Sequence, residues 1–343
     1  MTASEWATMF VAGMSIQSGA CDVMTTNQQR IHREAIVVVA HDHRPIGPDL
    51  TLMRAGGVDA KVYQVALDVD PEQGREGSRH LAEGWLNRAT QGMETVLRDI
   101  EAHAEQCILA KNVEDIERAK EAGRIAILLG IEGARWLEGS LEPLHSFYGL
   151  GLRELQLKWS FQNQLVPQQH LSDFGREVVS ECERLGILVD LTHLPPEAFY
   201  DVIEVARNPV IVSHGSAKAL TADLDDDRIR ALASTGGVLG IHFYTTYLGA
   251  SPGPEDMVKQ VAYVSELVGI DHVALGVDFF PTEGAWRKLQ EECGTTELEW
   301  AVEDMRGMPE ITHHLIDHGF SEAEVRKVLG LNFLRVCRKV FDT

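Results

Sequence analysis

Residues 35–43 read Ala-Ile-Val-Val-Val-Ala-His-Asp-His. An unbroken apolar run, rich in β-branched side chains, is the mark of a strand covered on both faces. A strand open to water on one face would alternate apolar and polar residues. The run ends on His41-Asp42-His43, and because strand side chains alternate, His41 and His43 share one face while Asp42 points to the other.

Working outward, the same kind of run recurs. Ile36–His41, Val58–Ala66, Ile125–Glu132, Leu152–Trp159, Ile187–His193, Val210–His214, Val238–Tyr244 and Val273–Asp278 all read as buried strands. Stretches of helical periodicity lie between them: His80–His103, Val113–Glu121, Phe174–Leu185, Leu224–Thr235, Pro254–Val268 and Ser321–Val340. Ser172-Asp173 and Ser321 are suited to accept from the free N–H groups at a helix start. Eight strand–helix units imply a closed barrel or a doubly wound open sheet. Nothing rich enough in Pro, Gly or Ser divides the 343 residues, so 1–343 is read as a single catalytic domain. Residues 1–34 are expected to be an N-terminal extension, and the polar stretch 281–308 an insertion near the active-site mouth.

The composition narrows the function. The net charge of -21 disfavours nucleic-acid binding, which needs Lys and Arg against phosphate. Five scattered cysteines, with no CxxC pair, argue against a disulfide framework and a thiolate metal site and fit a reducing cytoplasm. The apolar stretch Met9–Met14 follows Glu5 and lacks a basic flank, and Ser18–Cys21 matches a lipoprotein cleavage site only weakly; neither is read as a signal. No run approaches the roughly 20 apolar residues of a membrane span.

The polar residues at the strand ends carry the chemistry. His41 and His43 close one apolar run, and Glu132, His193, His214 and Asp278 each close another. In a parallel barrel these ends converge on one face. Imidazole and carboxylate suit zinc and related divalent ions, so the set is read as a metal site. His242, Tyr244 and Lys158 are pocket candidates, whereas His32, His313, His314 and His318 are expected on the surface.

The chain resembles the renal, or membrane, dipeptidase family of binuclear zinc peptidases, within the amidohydrolase-like metal-dependent hydrolases. The likeness runs from about Ile36 to the C-terminus. It is carried by GIEGARW (130–136), LHSFYGLGLRELQLKW (144–159), LSDFGREVVSECERLGILVDLTH (171–193), PVIVSHGSAKAL (209–220), GGVLGIHFY (236–244), GIDHVALGVDF (269–279) and VLGLNFLRV (328–336).

The resemblance implies a (β/α)8 TIM barrel of the metal-dependent hydrolase type, holding two divalent ions, most simply zinc. It implies that His41 and the residue at 43 bind one ion, that Glu132 bridges both, and that His193 and His214 bind the second. Asp278 matches the family's acid/base carboxylate. A metal-bridging hydroxide would then cleave a dipeptide or dipeptide-like small amide. The expected partner is a small-molecule substrate, with no nucleic acid and no membrane; a homodimer is left open.

Three positions depart from the family pattern. The first strand ends His-x-His where the family has His-x-Asp, which removes one negative charge. Trp159 stands where the family commonly has a His, and reads as barrel packing or a pocket wall. The stretch Ala222-Asp223-Leu224-Asp225 stands where the family often has an Arg-Asn that clamps the substrate carboxylate. Lys218 and Arg228 lie nearby, Arg228 equally readable as an exposed helix residue. Free L,L-dipeptides are therefore expected to be poor substrates beside an N-acyl amino acid, a cyclic amide or a lactone. A barrel that has lost catalysis and only binds is a further alternative, disfavoured by the presence of Glu132 and Asp278.

Overall fold

The structure is a computed structural model that describes residues 24–81, 83–221, 223–244, 248, 253–293 and 299–342. Met9–Met14, Ser18–Cys21, Ala222 and residues 294–298 therefore lie outside the described residues. Long apolar runs can be buried only where both sheet faces are covered, and the chain meets that condition by closing its sheet. The strands are β1 (Val38–Asp42), β2 (Ala60–Leu67), β3 (Cys107–Leu109), β4 (Ile125–Glu132), β5 (Leu152–Gln156), β6 (Leu188–Asp190), β7 (Ile211–Gly215), β8 (Val238–His242) and β9 (Val273–Gly276). All pairings between them are parallel, in the order β2-β1-β9-β8-β7-β6-β5-β4-β3, and a β2–β4 pairing closes eight of them into a (β/α)8 barrel. Every residue of β1, β4 and β5 is buried.

The ninth strand, β3, is absent from the sequence reading. It pairs with Ile125–Ile127 of β4, while β5 pairs with the same strand from Leu129 onward, so the two divide one edge of β4. Three residues are too short to give a periodic signal. The run Ile125–Glu132 is a strand over its whole length, but several strands are shorter than their apolar runs. The run Ile187–His193 contributes only Leu188–Asp190 to the sheet, and Val273–Asp278 only Val273–Gly276. The expected helix His80–His103 begins later, at Trp85–Ala102 after Gly84, whose φ is +87°, and a separate helix, Gly74–His80, precedes it. Ser172 and Ser321 cap their helices as expected, Ser321 in a reciprocal pair with Glu324.

Two of the histidines expected on the surface are buried. His32, in the helix Thr26–Glu34, has Nδ1 2.7 Å from Thr312 Oγ1 and Nε2 2.8 Å from the Gly56 carbonyl. His313 is buried in the helix Met308–Asp317. The His32 contacts tie the helix Thr26–Glu34 to the helix Met308–Asp317 and to Gly56, and periodicity alone does not reveal them. Among the described residues, no helix is long and apolar enough to cross a membrane.

The outward-facing side chain at the end of β1 is an anchor. Asp42 is fully buried, and its Oδ1 accepts from Lys61 Nζ of β2 at 2.5 Å. The same ammonium donates to Asp49 Oδ2 and to the Arg44 carbonyl, both at 2.8 Å. Burial raises the Asp42 carboxyl above its ordinary range, and Lys61 pulls it back. The network ties the His41–His43 segment to its neighbouring strand and to the helix Ile46–Ala55. Lys61→Met would leave two buried carboxylates without their cation, and is expected to destabilise the fold by about 3–5 kcal/mol, read from urea unfolding. An unchanged midpoint would remove the anchoring role.

Candidate metal centre

The barrel delivers six side chains to one end of its axis. His41 sits within β1, Glu132 is the last residue of β4, and His214 lies within β7. His43, His193 and Asp278 come just after β1, β6 and β9. His193 and Asp278 reach inward by adopting left-handed backbone, with φ of +65° and +52°. Such conformations are costly for a residue with a Cβ and concentrate at functional sites.

Glu132 organises the cluster. Its Oε2 lies 3.1 Å from His43 Nε2 and 3.8 Å from His41 Nε2. Its Oε1 lies 3.1 Å from His193 Nε2 and 3.9 Å from His214 Nε2. Each oxygen therefore faces one histidine pair. Gln156 Nε2 donates to Oε1 at 3.1 Å and fixes the carboxylate in the barrel. Burial alone would raise the Glu132 carboxyl, but hydrogen bonds from His193 and His43 and the nearby His41 outweigh it and hold it well below the usual range. Burial, with the neighbouring imidazoles, drives His41 and His214 well below the ordinary histidine value. Burial lowers His43 and His193 as well, but the hydrogen bond and charge of Glu132 outweigh it and raise both, so the neutral imidazole that ligates metal is favoured at one member of each pair, His41 and His214.

The nitrogen atoms themselves test the fit. His41 and His43 bring Nε2 to Nε2 at 3.1 Å, and His193 and His214 do so at 3.3 Å. Two imidazole lone pairs facing one another at this distance repel unless a cation, a proton or a metal ion, lies between them. The sets His41/His43/Glu132 and Glu132/His193/His214 each gather their ligand atoms within 4.8 Å. A third set, His41/His214/Asp278, overlaps both. The donor types are those of a divalent transition metal, so the residues fit.

Asp278 stands over the cluster. Its Oδ1 is 3.7 Å from His41 Nε2 and 3.6 Å from His43 Nε2. Its Oδ2 is 3.2 Å from His242 Nε2. The backbone N–H of Tyr244 donates to His242 Nδ1 at 3.0 Å, which leaves the ring proton on Nε2, directed at Asp278. His242 is thereby a partner of the carboxylate, a role the sequence left as a pocket candidate.

Two cavities meet at His193 and His242. The larger, about 360 Å³, is walled by His43, Glu132, Trp159, Tyr244, Asp278 and Trp286 among others. Trp286 comes from the helix Gly284–Glu292, with its ring centroid 5.2 Å from that of His43. The smaller, about 210 Å³, is lined by Lys158, His193, His214, Asp223, Arg228 and His242 among others. Arg228 is not an exposed helix residue: only 13% of its side chain is open. Its Nε donates to Asp225 and its Nη2 to the Asp223 carbonyl, at 2.9 and 2.8 Å. Lys218 is exposed. Sequence reading missed Gln156, Ser213 and Trp286 altogether. Gln156 alone had a signal, a polar residue within an apolar run, two places after the inward-facing Glu154.

A family model for membrane dipeptidases, peptidase family M19, matches residues 7–343. The chain belongs to this family. Dipeptidase tcpJ of Claviceps purpurea is 29% identical over 303 residues, which are 84% of this chain and 67% of that relative. An amidohydrolase from Pseudomonas aeruginosa shares the fold with a TM-score of 0.82 at 25% identity, over 92% of this chain and 99% of that one. A metallopeptidase from Rhodobacter sphaeroides, solved with a phosphinate mimic of the dipeptide L-Ala-D-Ala, gives 0.75 at 21% identity, over 90% and 100%. As a member of the family, the chain is a metallohydrolase of the dipeptidase type, and the histidine–carboxylate cluster is its candidate metal centre.

Glu132→Gln removes the one charge that both histidine pairs share. Elemental analysis of the variant is expected to show metal lost from both pairs together, and a wild-type metal content would contradict the shared role.

Proposed function

We propose that the chain is a two-ion, zinc-dependent dipeptidase whose substrate carries a free C-terminal carboxylate. The observation that carries the two-ion reading is the division of Glu132, one oxygen to His41 and His43 and the other to His193 and His214. When bound, two divalent ions polarise the scissile carbonyl and acidify the attacking water. The larger cavity suits a small amide, and Trp159, Phe280 and Trp286 give it an apolar wall. Trp286, Leu289, Gln290 and Cys293 support reading 281–308 as an insertion over the mouth.

Asp278 handles the proton. His242 engages Oδ2, so Oδ1, which faces the cluster, takes the proton from the attacking water and returns it to the leaving amine. Burial would raise this carboxyl, but the surrounding imidazoles, with the hydrogen bond from His242, hold it below its ordinary value, so it begins as the base.

The expectation that free dipeptides are poor substrates rested on the missing cation at Ala222-Asp223. Arg228 removes that premise. It reaches the smaller cavity from the helix Asp226–Ser234, and Lys158 lines the same space. With Nε and Nη2 engaged, Nη1 is the donor left for a carboxylate. Asp223 lines this cavity too and favours the second reading, a substrate without a carboxylate there, such as a cyclic amide or lactone. The free thiols of Cys107, Cys182, Cys293 and Cys337 support a reducing, cytoplasmic setting.

Asp278→Asn keeps the shape but cannot carry the proton. It is expected to retain metal while kcat falls about 100-fold or more; near-normal turnover by the metal-loaded variant would refute the assignment. Arg228→Ala is expected to reduce kcat/KM for free dipeptides roughly 10- to 150-fold and leave C-terminally amidated ones unchanged. Equal losses on both substrates, or a wild type that prefers lactones, would overturn the carboxylate reading.

A further inference from the structure

Ser213 precedes His214 on β7, and its hydroxyl lies between two histidines that belong to different ligand sets. Its Oγ is 3.2 Å from His41 Nδ1 and 3.0 Å from His214 Nδ1. The two rings stack obliquely, with centroids 4.1 Å apart. All three side chains are buried. An imidazole that presents Nε2 as a metal ligand must carry its proton on Nδ1 and donate it. A hydroxyl accepts two hydrogen bonds and donates one. Ser213 can thus accept from both imidazoles at once and still donate onward.

The onward partner is present. Thr192 Oγ1 lies 3.4 Å from Ser213 Oγ and donates to Asp190 Oδ1 at 2.7 Å. The Ser213 backbone N–H donates to the same Asp190 oxygen at 3.0 Å, which fixes where the hydroxyl starts from. Asp190 closes β6 and Ser213 lies on β7, so the sheet itself sets the position of Oγ.

We propose that Ser213 is a positioning residue that fixes the tautomer and orientation of one ligand in each histidine pair, through a single hydroxyl anchored on Thr192 and Asp190. The two pairs are then coupled from below as well as through Glu132 above. The coupling is unequal. His41 Nδ1 also lies 3.0 Å from the side-chain amide of Gln64, whose Oε1 accepts the Nδ1 proton once the amide is turned so that its oxygen faces the ring, whereas Ser213 is the only hydrogen-bond partner found for His214 Nδ1 among the described residues. Loss of the hydroxyl therefore weakens the His193/His214 position more than the His41/His43 position. Metal ligands that lose such a partner typically lose about 10- to 100-fold in affinity.

The inference rests on the two-ion reading, and one experiment separates the two. Metal-free wild type, Ser213→Ala and Ser213→Cys are titrated with zinc against a competing chelator, and the metal-free forms are melted as a control of the fold. The wild type is expected to bind two ions. Ser213→Ala is expected to melt like wild type without metal, yet to bind the weaker ion about 10- to 100-fold less tightly and the other with a smaller loss. Ser213→Cys keeps the volume with a poorer acceptor; it is expected to fall between them, and it carries the test if Ser213→Ala does not fold. Two ions bound by both variants with wild-type affinity would overturn the role of Ser213 alone. A wild type that binds fewer than two would overturn the two-ion reading, and this inference with it.

Discussion

The mouth of this barrel depends on one carboxylate that faces two ways. Glu132 ends the longest fully buried strand, has Gln156 at its side, and turns one oxygen to each histidine pair. Four imidazoles gathered in a dry barrel would repel one another as soon as any two were protonated, and a single buried anion among them is the least charge that lets them share the space. Each remaining feature sets the geometry around it. Ser213 faces the far side of two rings, His242 orients Asp278, and the aromatic wall of Trp159, Phe280 and Trp286 keeps the dielectric low where those charges meet.

Below that level the barrel has a second set of charges, kept apart from the first. Asp42 lies between His41 and His43 in the chain but points outward, where Lys61 pairs with it and with Asp49. One strand therefore carries a face that joins the candidate metal centre and an anchoring face, separated only by strand alternation. Farther down the axis, Gly130 makes room for buried polar groups from the neighbouring strands. A Cβ there would come within 1.8 Å of Glu154 Oε2. Burial and the neighbouring Asp190 raise the Glu154 carboxyl well above its usual range, so it can share a proton with Asp190 in place of a second negative charge.

Much of this was legible in the chain. Buried strands announce themselves by length and composition, and histidines and carboxylates at the ends of such runs stand out because several runs end in the same way. The eight barrel strands and the ring of His41, His43, Glu132, His193, His214 and Asp278 were readable for that reason. Where each strand stops was not, because His193 and Asp278 lie beyond the last paired residue and turn inward through left-handed backbone that periodicity cannot register. Arg228 was ambiguous because its use depends on a side-chain direction, back along the helix toward the cavity, and on two local hydrogen bonds. Ser213 was invisible, since a serine before a histidine is unremarkable until both of its neighbours are known.

The left-handed turns narrow which residues can serve at positions 193 and 278. That region of backbone is tolerated best by glycine, asparagine, aspartate and histidine, and other side chains there cost about 1–2 kcal/mol. Glutamate and cysteine are capable ligands or proton carriers, yet both would be penalised by the chain before their chemistry was tried. Histidine at one turn and aspartate at the other belong to the short set that satisfies both demands. Substitution at these two positions is thus constrained by the backbone before any chemistry is asked of the side chain, whereas position 43 lies outside the left-handed region and carries no such constraint.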